Sequence, residues 1–264
     1  MSRFIDDTAV TRSEEGRYRA TIDRGWWIER GPNGGYLAAI VARAALAEVG
    51  DSARRLRTLT LHYLRPPVEG PCEVAVTIER AGRGVTTVSA RLQQEGHDCV
   101  LALAAIGADR EGPSLHAHPA PVVPPPDEVP PRPELASGEH RIPIHGRYDV
   151  RHALGPLPFS GGDEAITGGW IRTADHDAVD DVLLVALTDA WIPAVFSSLD
   201  LPVGVPTVEL TVHLHGRPAP GAQWSLVRFT TREAVAGYLE ETGEVWSQDG
   251  RLLAESRQLA VLLV

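Results

Sequence analysis

Residues 180–198 read DDVLLVALTDAWIPAVFSS, and this stretch decides how the rest of the chain can fold. It is apolar on nearly every side, which is typical of a helix buried in a core rather than one lying on a surface. Asp180 and Asp181 suit the start of this helix, because carboxylates accept hydrogen bonds from its free N–H groups. Pro193 cannot donate to the carbonyl of Asp189, so we expect the helix to be bent or loosened there.

Asp189 lies in the middle of this apolar run. An unpaired carboxylate in such surroundings is costly, so we expect Asp189 either to have polar partners or to be tuned for chemistry. The alternative is that Asp189 points along a solvated edge of the helix. The stretch alone favours neither interpretation, and the first half of the chain provides the comparison that favours chemistry.

The composition limits the classes of function that the chain can serve. Its 264 residues allow one large domain or two modest ones. The formal net charge of −10 argues against nucleic acid as a partner. All the basic side chains that carry a permanent charge are arginines, which excludes a lysine nucleophile.

The expected location is the cytoplasm. Cys72 and Cys99 fall in predicted strands, and two such cysteines are more typical of packing residues in an intracellular protein than of a disulfide framework. No apolar segment typical of a signal peptide follows Met1, and no uncharged apolar run has the length of a membrane span. We therefore expect no membrane partner.

The first half of the chain combines one helix with several strands. Residues 36–48 (YLAAIVARAALAE) predict an apolar helix that follows a glycine-rich turn and ends at Gly50. Alternating segments joined by short turns follow at residues 57–64, 71–80, 85–95 and 98–107. This pattern predicts an antiparallel sheet after a single helix.

A proline-rich segment separates the two halves. Residues 111–159 hold 12 of the 21 prolines, which is typical of a semi-rigid linker. We therefore predict an N-terminal unit at 1–110, a linker at 111–160 and a C-terminal unit at 161–264. His116 and His118 lack acidic or cysteine companions, and we interpret them as solvated linker residues.

The order of elements repeats after the linker. A strand at 166–173 precedes the 180–198 helix, and further strands follow at 207–215, 223–233, 235–248 and 251–264. When the halves are superposed, Asp189 falls on Gly34, Thr207 on Leu56 and Gln258 on Ala104. A duplicated fold with one active site should have polar residues in one copy and inert ones in the other. The alternative is that three polar residues coincide by chance.

Several short motifs occur in the same order as in a known family. Residues 170–172 (WIR) precede an acidic gap and the apolar helix, Gly34-Gly35 opens the first helix, and residues 63–66 (YLRP) end a strand. The order resembles the acyl-CoA thioesterase II family, the TesB-like proteins, over nearly the whole chain apart from the linker. The resemblance implies an α+β double hotdog fold, with two repeats that each wrap an antiparallel sheet around a long central helix.

The resemblance also implies a thioesterase that hydrolyses acyl-CoA to the free acid and coenzyme A. The family's catalytic Asp, Thr and Gln correspond to Asp189, Thr207 and Gln258. Asp189 would act as general base or hold the attacking water. Thr207 and Gln258 can orient that water, because both side chains donate and accept hydrogen bonds. No cofactor or metal is implied, since the sequence shows no phosphate-binding loop, dinucleotide fingerprint or Cys/His cluster.

The substrate acyl-CoA would need donors for its carbonyl oxygen, an apolar wall for its acyl chain and cations for its phosphates. The candidates are Gly34, Gly35 and Tyr36 for the oxygen, Trp191 and Phe196 for the chain, and Arg65 and Arg172 for the phosphates. Both arginines could equally be structural ion-pair partners. Because hotdog units pair through their sheets, we expect a homodimer or a higher homo-oligomer.

Three other functions fit parts of the pattern. A non-catalytic acyl-CoA or lipid-binding hotdog protein would share the fold and the pocket without turnover. A hotdog hydratase or dehydratase would need a His–Asp type pair at the helix, and neither predicted helix contains a histidine. An unrelated all-β binding module would contain very little helix.

Overall fold

The computed structural model describes residues 2–131 and 142–263. Its helices are α1 (Arg3–Asp7), α2 (Gly34–Val49) and α3 (Asp181–Leu187). None of the helices in these residues is long and apolar enough to cross a membrane. The strands of the first half are β1 (Thr11–Glu14), β2 (Arg17–Ile22), β3 (Arg54–Tyr63), β4 (Gly70–Ala81), β5 (Val85–Gln94) and β6 (His97–Ala108). Those of the second half are β7 (Tyr148–Leu154), β8 (Ile166–Thr173), β9 (Thr207–Leu214), β10 (Ser225–Thr230), β11 (Ala234–Val235), β12 (Tyr238–Ser247) and β13 (Leu252–Val261).

Helix α2 forms where the sequence predicts it and is buried along most of its length. Its N-cap is Asn33, whose side-chain Oδ1 accepts from the Tyr36 N–H at 3.0 Å. It ends at Gly50, which adopts the left-handed conformation (φ +62°) that glycine tolerates best. Its many buried alanines let the sheet and α3 approach closely.

Helix α3 is much shorter than the predicted helix at 180–198. It starts after the N-cap Asp180, as predicted, but it ends at Leu187, before Asp189. The Thr188 hydroxyl donates to the Val185 carbonyl at 2.8 Å, and Pro193 has an extended backbone. A separate 3-10 turn follows at Ala194–Ser197. Asp189 therefore lies in an irregular turn after the helix and not within it.

All the strands belong to one antiparallel sheet that both halves share. The order along it is β1-β2-β4-β5-β6-β3-β9-β13-β12-β10-β8-β7, with β11 paired to β12. The halves join at β3 and β9, where the hydroxyls of Thr60 and Thr211 lie 3.0 Å apart. Helices α2 and α3 pack against each other. This is the predicted α+β architecture of two helix-and-sheet repeats.

The strand register agrees with one part of the predicted repeat and contradicts another. Leu59 pairs with Ala104 in the first half, and Leu210 pairs with Gln258 in the second. The superposition of Gln258 on Ala104 is therefore consistent with the sheet. The superposition of Asp189 on Gly34 is wrong, because Gly34 is the first residue of α2 whereas Asp189 follows the end of α3.

The predicted linker at 111–160 is largely packed against the second half. Residues 132–141 lie outside the described residues. The Trp170 indole N–H donates to the Pro124 carbonyl at 2.8 Å, and Val129 packs in the same cluster on the outer face of the sheet. Residues 148–154 are strand β7, which pairs with β8, so this part belongs to the sheet rather than to a linker. His118 is not simply solvated, since its Nε2 lies 3.2 Å from a Glu244 oxygen.

The two cysteines have the packing role that the sequence indicates. Cys72 on β4 and Cys99 on β6 are both buried and both free. Burial raises the pKa of the Cys72 thiol to about 12, so this thiol stays protonated and unreactive at neutral pH.

A buried ion pair joins the two halves at the start of α3. The Arg55 guanidinium is only 4% exposed and contacts Asp181 at 2.5 and 3.0 Å. It also donates to the carbonyls of His215 and Gly216. Removing the guanidinium would leave a carboxylate and two carbonyl oxygens without their partner.

We therefore expect Arg55→Met to lower the free energy of unfolding by about 2–4 kcal/mol, as measured by urea denaturation. The matched control is Arg217→Met, which removes an exposed ion pair to Asp109 and should cost less than about 1 kcal/mol. Equal losses in the two variants would contradict a structural role for the Arg55 pair.

Candidate active site

The carboxylate of Asp189, from the second half, lies against the N-terminus of α2, from the first half. Its Oδ2 accepts from the Gly35 N–H at 2.9 Å and from the Asn33 side-chain amide at 2.9 Å. The same amide donates to the Asp189 carbonyl oxygen at 2.7 Å. Free N–H groups at a helix N-terminus favour a negative charge, so this contact stabilises the ionised carboxylate.

Glycine is needed at the start of α2 because the contact is so close. A Cβ at Gly34 would lie 2.9 Å from Asp189 Oδ2 and 3.0 Å from the Tyr63 hydroxyl. A Cβ at Gly35 would lie 2.5 Å from the Ala186 carbonyl oxygen. The glycine pair thus lets α2 and the end of α3 touch through their backbones.

Burial raises the pKa of Asp189 to about 6. The hydrogen bonds from Gly35 and Asn33 oppose this shift, because they stabilise the charged form. The carboxylate is therefore mostly ionised at neutral pH, yet it is more basic than an ordinary aspartate. Such a group can accept a proton from water, which is the property that a general base requires.

Asp189 lines a cavity of about 340 Å³. Both halves contribute to its wall: Ile28 and Asn33 come from the first half, and Trp191 and Phe196 from the second. Most of the wall is apolar, and Asn33 is a polar lining residue that contacts Asp189. A cavity of this size and composition is typical of a small-molecule site.

Two expected substrate-binding residues, Trp191 and Phe196, line this cavity. The Trp191 indole N–H donates to the Thr167 hydroxyl at 3.0 Å, which fixes the ring. The Phe196 ring packs on Phe159, with centroids 4.9 Å apart. Both rings are thus held in place by neighbours while they present apolar surface to the cavity.

The structure brings Thr207 and Gln258 together in a side-chain hydrogen-bond network. This network also includes Glu241, which the sequence did not indicate as a site residue. The Thr207 hydroxyl donates to Gln258 Oε1 at 2.8 Å, and Gln258 Nε2 donates to Glu241 Oε1 at 2.7 Å. The other Glu241 oxygen accepts from the Ala194 N–H. In the sequence, Glu241 shares the inward-facing phase of its strand with Leu239 and Val245, and this was the signal that could have identified it.

The chain through Glu241 neighbours Asp189 without bonding to it. Within the described residues, no hydrogen bond joins Asp189 to Thr207 or Gln258. Burial raises the pKa of Glu241 to about 7, and the charge of Asp189 adds to this rise. The two carboxyl groups are therefore close enough for their charges to interact, although they belong to separate hydrogen-bond networks.

The backbone donors expected at the start of α2 are already used. The Gly35 N–H bonds to Asp189, and the Tyr36 N–H bonds to the Asn33 side chain. The Tyr36 ring is fully buried and stacks on Trp26 at 5.1 Å. In this state neither N–H is directed at a substrate oxygen.

The two expected phosphate-binding arginines lie in different surroundings. Arg172 is on the outer face of the sheet, where it pairs with Asp149 at 3.0 Å and lies 4.3 Å over the Trp224 ring. It is thus a structural partner, and it is not among the residues that line the cavity. Arg65 is exposed and makes no ion pair with any described residue. Arg30, which the sequence reasoning missed, is exposed and lines the cavity.

Two histidines, His145 and His152, also line the cavity. Both lie in the predicted linker, which is why the sequence reasoning did not place them at a site. Across residues 2–131 and 142–263, no group of three or more His, Cys, Asp and Glu side chains is arranged to hold a metal ion.

Both halves match models of a known protein family. Residues 23–107 match the acyl-CoA thioesterase N-terminal domain, and residues 125–262 match the acyl-CoA thioesterase C-terminal domain. Each model matches one of the two helix-and-sheet repeats, and residues from both matched ranges line the cavity.

Solved structures share the fold over the whole chain. A protein of unknown function with a hotdog fold from Alicyclobacillus acidocaldarius is 27% identical, with a TM-score of 0.91, covering 100% of this chain and 99% of that one. A candidate thioesterase II from Thermobifida fusca is 30% identical, with a TM-score of 0.86 and 99% of each chain covered. An uncharacterised protein of Mycobacterium tuberculosis is 26% identical over 270 residues, or 93% of this chain and 90% of its own. The double hotdog prediction is thereby confirmed.

The raised pKa of Glu241 predicts a measurable dependence of stability on pH. The folded protein holds this proton up to about pH 7, whereas an unfolded glutamate releases it near 4.5. Between these values the unfolded state binds fewer protons, so the contribution of Glu241 to stability falls as pH rises and stays low above pH 7.

We expect the free energy of unfolding of Glu241→Gln to rise, relative to that of wild type, by up to roughly 3 kcal/mol as the pH increases from about 4.5 to about 8. The reason is that glutamine cannot ionise. Urea denaturation at several pH values measures this difference. Glu233→Gln, at an exposed position, is the control and should show no such trend. If the free energies of unfolding of Glu241→Gln and wild type differed by the same amount at all pH values, the raised pKa of Glu241 would be contradicted.

Proposed function

The chain belongs to the acyl-CoA thioesterase family that these two domain models describe, and on that premise we propose that it hydrolyses acyl-CoA thioesters to a free acid and coenzyme A. The observation that carries this proposal is the partly buried, basic Asp189 carboxylate at the wall of an apolar cavity. A general base beside a pocket for an acyl group is what the hydrolysis of a thioester by water requires.

In the proposed reaction, Asp189 takes a proton from a water molecule as the water oxygen attacks the thioester carbonyl carbon. The carbonyl oxygen becomes an oxyanion, and hydrogen-bond donors in the site stabilise it. The oxyanion then re-forms the carbonyl as the C–S bond breaks, and the coenzyme A thiolate takes the proton from Asp189. The products are a carboxylic acid and a thiol, and the carboxylate of Asp189 is restored.

We assign the orientation of the attacking water to Thr207 and Gln258. Glu241 accepts from the Gln258 amide N–H, which directs the amide oxygen to the Thr207 hydroxyl. The lone pairs of the hydroxyl and the second N–H of the amide can then bind a water. The charge of Asp189 raises the pKa of Glu241, which supports a position of this hydrogen-bond network close to the base.

The substrate would span the cavity and its mouth. We propose that the acyl group lies on the apolar wall near Trp191 and Phe196, and that the coenzyme A phosphates meet Arg30 and Arg65. Both arginines are exposed, and neither makes an ion pair within the described part of the chain. Arg172 has no part in this assignment, because it pairs with Asp149, stacks over Trp224 and does not itself line the cavity.

We also propose a homo-oligomer that acts in the cytoplasm, as the family resemblance implies. The outer face of the central sheet carries Leu103, which is 52% exposed. Size-exclusion chromatography with light scattering tests the oligomeric state.

A non-catalytic acyl-CoA or lipid-binding protein is the second candidate. One observation favours it: Asp189 is held by Asn33 and Gly35 and makes no hydrogen bond to Thr207 or Gln258 within the described residues. A protein of this kind would bind acyl-CoA in the same cavity without releasing a thiol.

Replacing the base should abolish turnover and leave the fold intact. We expect Asp189→Asn to lower kcat/KM by at least about 100-fold on acyl-CoAs from acetyl to palmitoyl, measured by thiol release. Asp249→Asn, at an exposed position, is the control and should match wild type. Full activity in Asp189→Asn would disprove the assigned base, and binding without hydrolysis by wild type would favour the second candidate.

The pKa of Asp189 predicts the acid limb of the rate profile. Below about pH 6 the carboxylate is protonated and cannot accept a proton from water. We expect kcat/KM to fall about tenfold for each pH unit below that value. A profile that is flat from pH 4 to pH 7 would contradict a base of this pKa.

A further inference from the structure

Tyr148, at the start of β7, carries a buried hydroxyl that has no hydrogen-bond partner within the described residues. Only 7% of the residue is exposed, and its ring packs edge-on against Trp26 at 5.7 Å. Buried hydroxyl groups in native proteins are nearly always paired, so an unpaired one calls for an explanation. A ligand oxygen that is bound only during function provides one.

The residue that carries this hydroxyl, Tyr148, lines the same cavity as the proposed base, Asp189. Burial raises the pKa of the Tyr148 phenol, and the charge of Asp189 raises it further. The phenol therefore lies within electrostatic reach of the carboxylate and stays protonated at neutral pH. In this state it is a hydrogen-bond donor.

Four other donors near Asp189 already have partners inside the protein. The Gly35 N–H and the Asn33 amide are bound to Asp189, and the Trp191 indole N–H is bound to Thr167. The Tyr36 N–H caps its own helix. A thioester carbonyl that entered the cavity would have to displace one of these bonds, whereas the Tyr148 hydroxyl has no bond to give up.

We propose that the Tyr148 hydroxyl donates a hydrogen bond to the carbonyl oxygen of the bound acyl group and to the oxyanion that forms from it. This inference rests on the proposed function and adds a catalytic residue to it. The proton stays on the phenol throughout, so the exchange of protons between water, Asp189 and the leaving thiolate is unchanged. The strand that supplies this donor lies in the segment that the sequence identified as a linker.

The first test is Tyr148→Phe, which keeps the ring against Trp26 and removes only the hydroxyl. We expect kcat/KM for acyl-CoA to fall about 100-fold, the usual effect of losing one oxyanion donor. The thermal midpoint should be unchanged or higher, because the hydroxyl bonds to no protein group. Tyr18→Phe is the matched control: its hydroxyl bonds to Glu48, away from the cavity, and the variant should keep wild-type activity.

The second test measures binding and does not depend on turnover. It uses two stable coenzyme A ligands with the same chain: a ketone, with CH₂ in place of sulfur, and a thioether, with CH₂ in place of the carbonyl. Tyr148→Phe should raise the Kd of the ketone at least tenfold and leave the Kd of the thioether unchanged.

The outcomes separate the two proposals. A wild-type protein that hydrolyses no acyl-CoA contradicts the proposed function, and the comparison of ketone and thioether then decides the role of Tyr148 by itself. The inference is overturned if Tyr148→Phe binds the ketone with the wild-type Kd, or if it binds both ligands more weakly by the same factor. It is also overturned if wild type binds neither ligand. Wild-type hydrolysis with undiminished activity in Tyr148→Phe also overturns it.

Discussion

The contact between Asp189 and the N-terminus of α2 is the constraint on which the rest of the structure depends. A carboxylate from one half of the chain is held by N–H donors from the other half, at Gly35 and Asn33. This geometry requires α3 to end before Asp189 and α2 to begin with glycine. It also requires the strands of the two halves to pair through β3 and β9, so that the helices meet.

The two halves contact each other through a carboxylate at two places, the N-termini of α2 and α3, and these two junctions differ in their partners. At the start of α2, a carboxylate faces free N–H groups beside an open cavity. At the start of α3, Asp181 instead meets the buried guanidinium of Arg55, and the two charges neutralise each other. One junction thus places a carboxylate at the cavity wall, while the other holds a buried ion pair between the two halves.

Burial gives the second half two carboxyl groups with unusual proton affinities. The pKa of Asp189 is raised to about 6 and that of Glu241 to about 7, both mainly because they are removed from water. Their charges interact, so the first proton lost affects the second. Both carboxyl groups therefore titrate closer to neutral pH than ordinary carboxyl groups do, which is typical of groups at functional sites.

The sequence by itself determined the two repeats, the position of α2 and the strands that follow each helix, whereas α1, β1, β2 and β7 were not predicted. Alternation along strands and the apolar runs of both helices are local properties, so they can be recognised without the fold. The tertiary structure decided where α3 ends, that Asn33 and Gly35 hold Asp189, that Glu241 bonds to Gln258, and that Tyr148 lines the cavity whereas Arg172 does not. These features depend on contacts between residues far apart in the chain, and no local pattern encodes which buried polar groups will meet there.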